Sequence, residues 1–122
     1  MTDADETRGR MRAIWFDALR AIADFELQRE RWLDRTNTNP AWSYIEFVCK
    51  YPDPAQLRDG VQKGYVSPDE ATILQDFGET LIAHRSPTGN DRDHEAILSD
   101  PAWQEVVRAA GIALQRVEAL QC

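Results

Sequence analysis

The stretch from His84 to Glu95, "HRSPTGNDRDHE", holds two imidazoles and several carboxylates within twelve residues. These side chains can bind a divalent metal if the loop folds back on itself. The spacing matches no helical ligand pair such as His-x-x-x-His, so His84 and His94 are only weak metal candidates. The alternative, which the sequence favours, is a solvated charged loop in which Asp91 caps the following turn.

Asp76 and Glu79 form a second pair of carboxylates, on the polar face of a predicted helix. Such a pair supports acid–base catalysis only when a cleft buries it, and on a polar face it is solvated. The chain has no glycine-rich phosphate loop, no Gly-x-Ser-x-Gly nucleophile motif and no clustered cysteine ligands. We therefore expect a protein that is not an enzyme and that uses no cofactor.

The chain is acidic, with 21 Asp and Glu against 14 Lys and Arg and a formal net charge of −7. This balance disfavours nucleic acid, because phosphates attract a basic face. It suits a basic protein partner, since opposite charges speed encounter, although the charge also serves solubility alone. The acidic positions proposed to meet such a partner are Asp69, Asp76, Glu79, Asp91, Asp93 and Glu95.

Trp42 is the aromatic candidate for partner binding. It lies in "RERWLDRTNTNPAWSY", where arginines mix with aromatic residues, a composition favoured at protein interfaces and also usable for stacking on bases. Trp42 adjoins a polar loop and a nearby tyrosine. The alternative is that it begins the buried face of a helix.

The cysteine content and the termini bear on the compartment. Cys49 and Cys122 do not make a disulfide framework, and Cys49, in an apolar run, is expected to be buried. No stretch approaches the roughly 18 apolar residues of a membrane span, and "MTDADETRGR" is too charged for a signal peptide. We expect a cytoplasmic protein with no membrane partner, built as one domain over residues 1–122 with residues 1–6 disordered.

Four dipeptides predict helix starts, because each pairs a capping side chain with a proline tolerated in the first turn. They are Asn39-Pro40, Asp53-Pro54, Ser67-Pro68 and Asp100-Pro101. Glu70 and Gln56 stand where they complete capping boxes with Ser67 and Asp53.

The spacing of apolar residues then predicts the helices themselves. The first is long, from about Asp5 to Leu33, and bends or ends near Arg29. Its apolar stripe comprises Met11, Ile14, Trp15, Ala18, Ile22 and Phe25. Residues 41–51 are interpreted as a buried helix, although their aromatic and β-branched side chains also suit a strand.

The later helices run from Pro54 to Lys63, ended by Gly64, from Pro68 to Arg85, and from Pro101 to near the end of the chain. The inward residues are Ile73, Leu74, Phe77, Leu81 and Ile82 in the second of these and Trp103, Val106, Val107, Ala110, Leu114, Val117 and Leu120 in the third. Gly111 predicts a close neighbouring helix. The fold class expected is all-α, a single-domain bundle of about four to six helices.

Three phrases, "WLDRTN", "SYIEFVCKYPD" and "ILSDPAWQEVVRAAGIAL", resemble small acidic helical immunity proteins of bacterial contact-dependent and polymorphic toxin systems. The resemblance covers Trp32–Tyr51 and Ile97–Leu114. It implies a non-catalytic protein that neutralises a cognate toxin in the cytoplasm by occluding it. The family supplies no fixed motif for binding residues, so the acidic positions above rest on charge.

Two other functions stay open. The first is a self-associating scaffold module, a homodimer in which the stripe of the first helix pairs with another copy. The second is a small metal-dependent enzyme that uses His84 and His94.

Overall fold

The computed structural model describes residues 3–36 and 43–120, which form seven helical segments and contain no strand. The all-α prediction is therefore confirmed. The segments are α1 (Asp3–Ala23), α2 (Phe25–Trp32), α3 (Tyr44–Lys50), α4 (Pro54–Gln62), α5 (Pro68–Ala83), α6 (His94–Ser99) and α7 (Pro101–Leu120). Within the described ranges, no helix is both long and apolar enough to cross a membrane.

The proline-marked helix starts are confirmed where the structure describes them. Asp53 and Ser67 cap α4 and α5, and both predicted capping boxes form. Asp100 accepts a hydrogen bond from the backbone of Ala102 at the start of α7. Gly64 follows α4 with φ at +78°, the left-handed conformation that favours glycine. The start predicted at Pro40 lies outside the described residues.

The stretch interpreted as helix or strand contains helix α3, which is shorter than expected. Ser43 caps it by accepting a hydrogen bond from the backbone N–H of Glu46, 3.2 Å away. Tyr44 and Phe47 take its buried positions. Cys49 then falls on the outer side and is exposed, so the prediction that it is buried is wrong.

The long first helix is broken at Asp24, and the prediction of one helix that bends near Arg29 is wrong. Asp24 leaves the helical conformation, and its side chain accepts from the backbone N–H of Leu27 at 3.0 Å. This capping starts α2, which runs through Arg29 without interruption. At the other end, α1 begins at Asp3, within the segment 1–6 that we expected to be disordered.

Gln28 connects the two sides of this break to the core. Its side-chain nitrogen donates to the carbonyl oxygens of Ala21 and Ile22, at 3.0 and 2.8 Å. Its side-chain oxygen accepts from the indole Nε1 of Trp103 at 2.9 Å. Gln28 is fully buried, yet the two carbonyls at the end of α1 and the buried indole all have hydrogen-bond partners.

The core lies where α1 and α5 pack against α7. The buried face of α1 is Trp15, Phe16, Leu19 and Ile22. Ile14 is 48% exposed, so the predicted stripe is wrong at that position, because Phe16 and Leu19 face the core instead. The inward assignment is wrong for Ile82 and Leu120 too, which are 61% and 46% exposed.

Two glycines show where helices approach closely. A Cβ placed on Gly60 would lie 2.5 Å from the Trp15 ring, so α1 and α4 meet at this point. A Cβ on Gly111 would meet nothing within 4 Å. The close neighbour predicted at Gly111 is therefore wrong, since that side of α7 faces open space.

Candidate functional site

An apolar groove runs between α3 and α5 and is closed at one end by the start of α4. Its apolar end encloses about 250 Å³. Seven apolar side chains line this end: Val48, Tyr51, Pro52, Pro54, Leu57, Leu81 and Ile82. Side chains from three helices therefore form one concave surface, a shape typical of binding sites.

Tyr51 forms the floor of the groove. A Cβ on Gly78 would lie 3.2 Å from its ring, so glycine lets the phenol lie close against α5. The hydroxyl donates to the Leu74 carbonyl at 2.6 Å, and the ring meets Phe77 edge to face with centroids 5.3 Å apart. Burial raises the pKa of the Tyr51 phenol far above its ordinary value. The phenol therefore stays neutral and acts as a structural donor.

The groove continues into a more open depression, which shares Val48, Leu81 and Ile82 with the apolar end. Ile45, on α3, is 39% exposed and lines the depression. The polar side chains there include Arg85, which donates to the carbonyl oxygens of Ile82 and His84 at the end of α5.

His84 is buried between two partners at the far end of the depression. Its Nδ1 lies 2.9 Å from the hydroxyl of Tyr44, and its Nε2 lies 3.0 Å from a carboxylate oxygen of Asp100. Burial, together with the negative charges of Asp91 and Asp100, raises the pKa of the Tyr44 phenol against the opposing effect of Arg85. This chain of hydrogen bonds ties the start of α3 to the end of α5 and the start of α7.

His94 meets the same tyrosine from the other side. Its Nε2 accepts from the backbone N–H of Tyr44 at 3.3 Å, and its ring stacks at a tilt on Trp32 with centroids 5.3 Å apart. Since Nε2 accepts, the ring is neutral and carries its proton on Nδ1, which interacts with the backbone carbonyl of Trp32. Desolvation lowers the pKa of His94 more than that carbonyl and Asp93 raise it.

The two weak metal candidates are thus both brought to Tyr44, and both nitrogens of each ring are occupied. Within residues 3–36 and 43–120, no three His, Cys, Asp or Glu side chains are grouped so as to hold a metal ion. The hydrogen bonds of the two histidines connect the helices that meet at Tyr44. Sequence reasoning missed this role because Tyr44 lies forty to fifty positions from either histidine.

The acidic candidates separate into different places. Glu79 lines the apolar end of the groove, together with Asp53, and Asp91 lines the open depression. Asp76 is exposed one turn before Glu79 on α5. Three of these carboxylates, Asp53, Glu79 and Asp91, line the groove, and Asp76 is exposed on α5 outside its lining. Asp53 was predicted only as a helix cap. It caps α4 and also lines the groove.

The remaining candidates lie elsewhere. Asp69 is exposed at the start of α5, about two turns before Asp76. Asp93 is half-buried and caps α6 by accepting from Ala96, so the capping residue is Asp93 and the expectation for Asp91 is wrong. Glu95 lines a separate hollow beside α2 and α7. Trp42 lies outside the described residues.

Comparison with known proteins yields no matching family model, no matching curated protein and no matching solved structure.

Proposed function

We propose that this chain is a cytoplasmic, non-catalytic binding protein of the immunity type, which neutralises a basic partner such as a toxin domain by occluding it. The observation that carries the proposal is the apolar groove between α3 and α5 with carboxylates along its border. Asp76 and Glu79 supply negative charge on α5, and Asp91 supplies it at the open end.

This combination suits a protein interface. Charges at the border of an interface chiefly accelerate association and select the partner. Apolar anchors that lose contact with water supply most of the affinity. Ile82 and Ile45 are exposed apolar side chains positioned to become such anchors.

Two polar side chains of the groove, His84 and Tyr51, support binding over catalysis. A general base or nucleophile needs a lone pair directed at the substrate. His84 uses both ring nitrogens within the protein, and the Tyr51 hydroxyl donates to a helix carbonyl.

Burial of Trp15 and Ile22 in the first-helix stripe, of which Ile14 is exposed, weighs against the alternative proposal of a scaffold module. Trp15 and Ile22 are 4% and 0% exposed and already pack in the core. They are therefore unavailable to a second copy without unfolding of α1. Sedimentation across a concentration series distinguishes this alternative, because an inhibitor has no need to self-associate.

The test begins with the cell that makes the protein. We expect the neighbouring upstream reading frame to encode a large secreted protein with a variable C-terminal domain, and a pull-down to recover that domain. Association of the purified domain is then followed by stopped flow at low and high salt. The Asp76→Lys/Glu79→Lys variant should associate more slowly than the unaltered protein, most of all at low salt.

A matched control is Glu6→Lys/Glu30→Lys, which changes the net charge equally at exposed positions on α1 and α2. It should slow association much less, because neither residue lines the groove. Equal rates for the two variants at every salt concentration would remove the acidic border from the proposal. A partner whose activity survives saturation with this protein would remove inhibition.

A further inference from the structure

We propose that the groove between α3 and α5 binds an amphipathic helix of the partner, apolar toward the groove and basic along the edge that faces α5. This rests on the proposed function, since it names the part of a basic partner that is recognised.

The size of the apolar end limits what it holds. A cavity of about 150 Å³ accommodates a benzene-sized group. At about 250 Å³, the apolar end fits one or two bulky apolar side chains of a protein segment.

The length of the groove fits helical spacing. Its lining runs from Tyr44, the first residue of α3, to Tyr51, the residue after α3, a separation of seven positions, or about 10 Å at the helical rise. A partner helix presents apolar side chains at positions i, i+3 or i+4, and i+7 over the same distance. One anchor then enters the apolar end while another meets Ile45 in the depression.

Ile82 lies where the two parts of the groove join, and it points into solvent with 61% of its surface exposed. Helical spacing places Ile82 beside Gly78 and Glu79, which line the groove, and Gln75 lines it one turn earlier on α5. Asp76 is exposed one turn before Glu79. The exposed Ile82 side chain, with carboxylates beside it on α5, is complementary to an amphipathic helix that has basic residues along one edge.

The charges select a basic occupant. The acidic, basic and imidazole side chains that line the two parts of the groove are Asp53, Glu79, Asp91, His84 and Arg85. Three of these are carboxylates, and the guanidinium of Arg85 is already directed at two backbone carbonyls. A second copy of this chain carries a net charge of −7 and would place acid against acid.

The experiment uses a synthetic probe, a peptide of about 15 residues with leucines at helical spacing and lysines at the remaining positions, long enough to form helix on binding. A second peptide has glutamate in place of every lysine. Each is titrated into the full-length protein at low salt and followed by amide NMR shifts. We expect the lysine peptide to shift Ile45, Val48 and Ile82, and the glutamate peptide to bind at least about tenfold more weakly.

Ile82→Glu should weaken binding of the lysine peptide about tenfold, because it removes the exposed apolar side chain that contacts the peptide. Ile112→Glu is the matched control, since Ile112 is 52% exposed on α7, outside the groove. Both side chains are exposed, so thermal unfolding should be close to that of the unaltered protein. Glu79→Lys should also weaken binding of the lysine peptide. Ile112→Glu should bind that peptide as the unaltered protein does.

Equal affinity of the two peptides, equal effects of the two isoleucine variants, or NMR shifts centred outside the groove would each overturn the inference. Self-association that Ile82→Glu abolishes would identify a second copy as the occupant and overturn it as well. If the purified partner binds Ile82→Glu unchanged but associates slowly with Asp76→Lys/Glu79→Lys, the groove inference fails and the proposed function stands. If the peptide results hold but the partner is not inhibited, only the proposed function fails.

Discussion

The indole nitrogen of Trp103 donates a 2.9 Å hydrogen bond to the side-chain oxygen of Gln28, and both residues are completely buried. Gln28 in turn donates to two carbonyls at the end of α1. One side-chain amide therefore provides hydrogen-bond partners both for the indole on α7 and for the carbonyl groups at the end of α1. Both the break at Asp24 and the packing of α7 depend on this side chain.

Replacing Gln28 by leucine should reduce the free energy of unfolding by about 3 kcal/mol or more, because it leaves an indole N–H and two carbonyls buried without this partner. Trp103→Phe should cost less from lost hydrogen bonding, since only the Gln28 oxygen loses a donor. In urea unfolding, the double variant should lose less than the sum of the single variants, by at least about 0.5 kcal/mol. Additive losses would contradict the coupling.

The ion pair between Arg12 and Glu70 supports a second prediction. Two guanidinium nitrogens of Arg12 donate to the two carboxylate oxygens of Glu70 at 2.8 and 3.0 Å, and the Glu70 side chain is only 7% exposed. The hydrogen bond with Glu70 raises the pKa of Arg12. Arg12→Ala leaves that carboxylate buried and without its cation, and should cost about 3 kcal/mol in urea unfolding.

The control for this pair is Arg20→Ala. Arg20 pairs with Asp17 at 2.8 Å, but both side chains are more than half exposed, at 57% and 72%. Solvent screens such pairs, so the loss should stay below about 1 kcal/mol. Equal losses for the two arginine variants would show that burial of Glu70 contributes nothing.

The lowered pKa of His94 predicts a pH dependence. Because the folded pKa lies below the ordinary value of 6.5, the unfolded chain binds a proton first as the pH falls. The contribution of His94 to stability is therefore fully present above that value and is lost as the pH falls through it toward the folded pKa. NMR titration of the His94 ring should give a midpoint below 6.5, and urea midpoints should fall less steeply in His94→Gln between about pH 7.5 and 5.5.

The two glycines in contrasting surroundings give opposite predictions for the same change. Gly60→Ala places a Cβ 2.5 Å from the ring of Trp15 and should lower the free energy of unfolding by about 1 to 3 kcal/mol. Gly111→Ala meets nothing within 4 Å and should raise it by up to about 1 kcal/mol, because alanine is the better helix former. Thermal unfolding of the two variants checks both signs, and a destabilising Gly111→Ala would indicate a contact on that side of α7.

The parts of the fold that depend on neighbours in sequence were predictable. A capping side chain, a proline and a Gln or Glu three residues after the cap define the starts of α4 and α5, because all the interacting groups lie within one turn. The break at Asp24 was not predictable in this way. Asp24 can cap a helix or lie within one, and the buried contact between Gln28 and Trp103 supports the break from 75 positions away.

The candidate site was predictable only in its charges. Glu79 and Asp91 lie on the groove as exposed acids, but the groove also needs Tyr51 packed against Gly78, a contact between positions distant in sequence. Apolar spacing assigned Ile82 to the core, since three- and four-residue spacing does not distinguish a buried face from an adjacent exposed one. The histidines acquired partners through Tyr44, a contact that no local pattern encodes.

The packing of Tyr51 has a consequence for the kinetics of any complex. Its ring is wedged against Gly78 and Phe77, and its hydroxyl is fastened to the Leu74 carbonyl, so the concave surface exists before a ligand arrives. A receptor that is already shaped loses little conformational freedom on docking. The slow step is then helix formation in the incoming segment. A segment held helical in advance by a covalent crosslink should therefore bind faster to the same cleft.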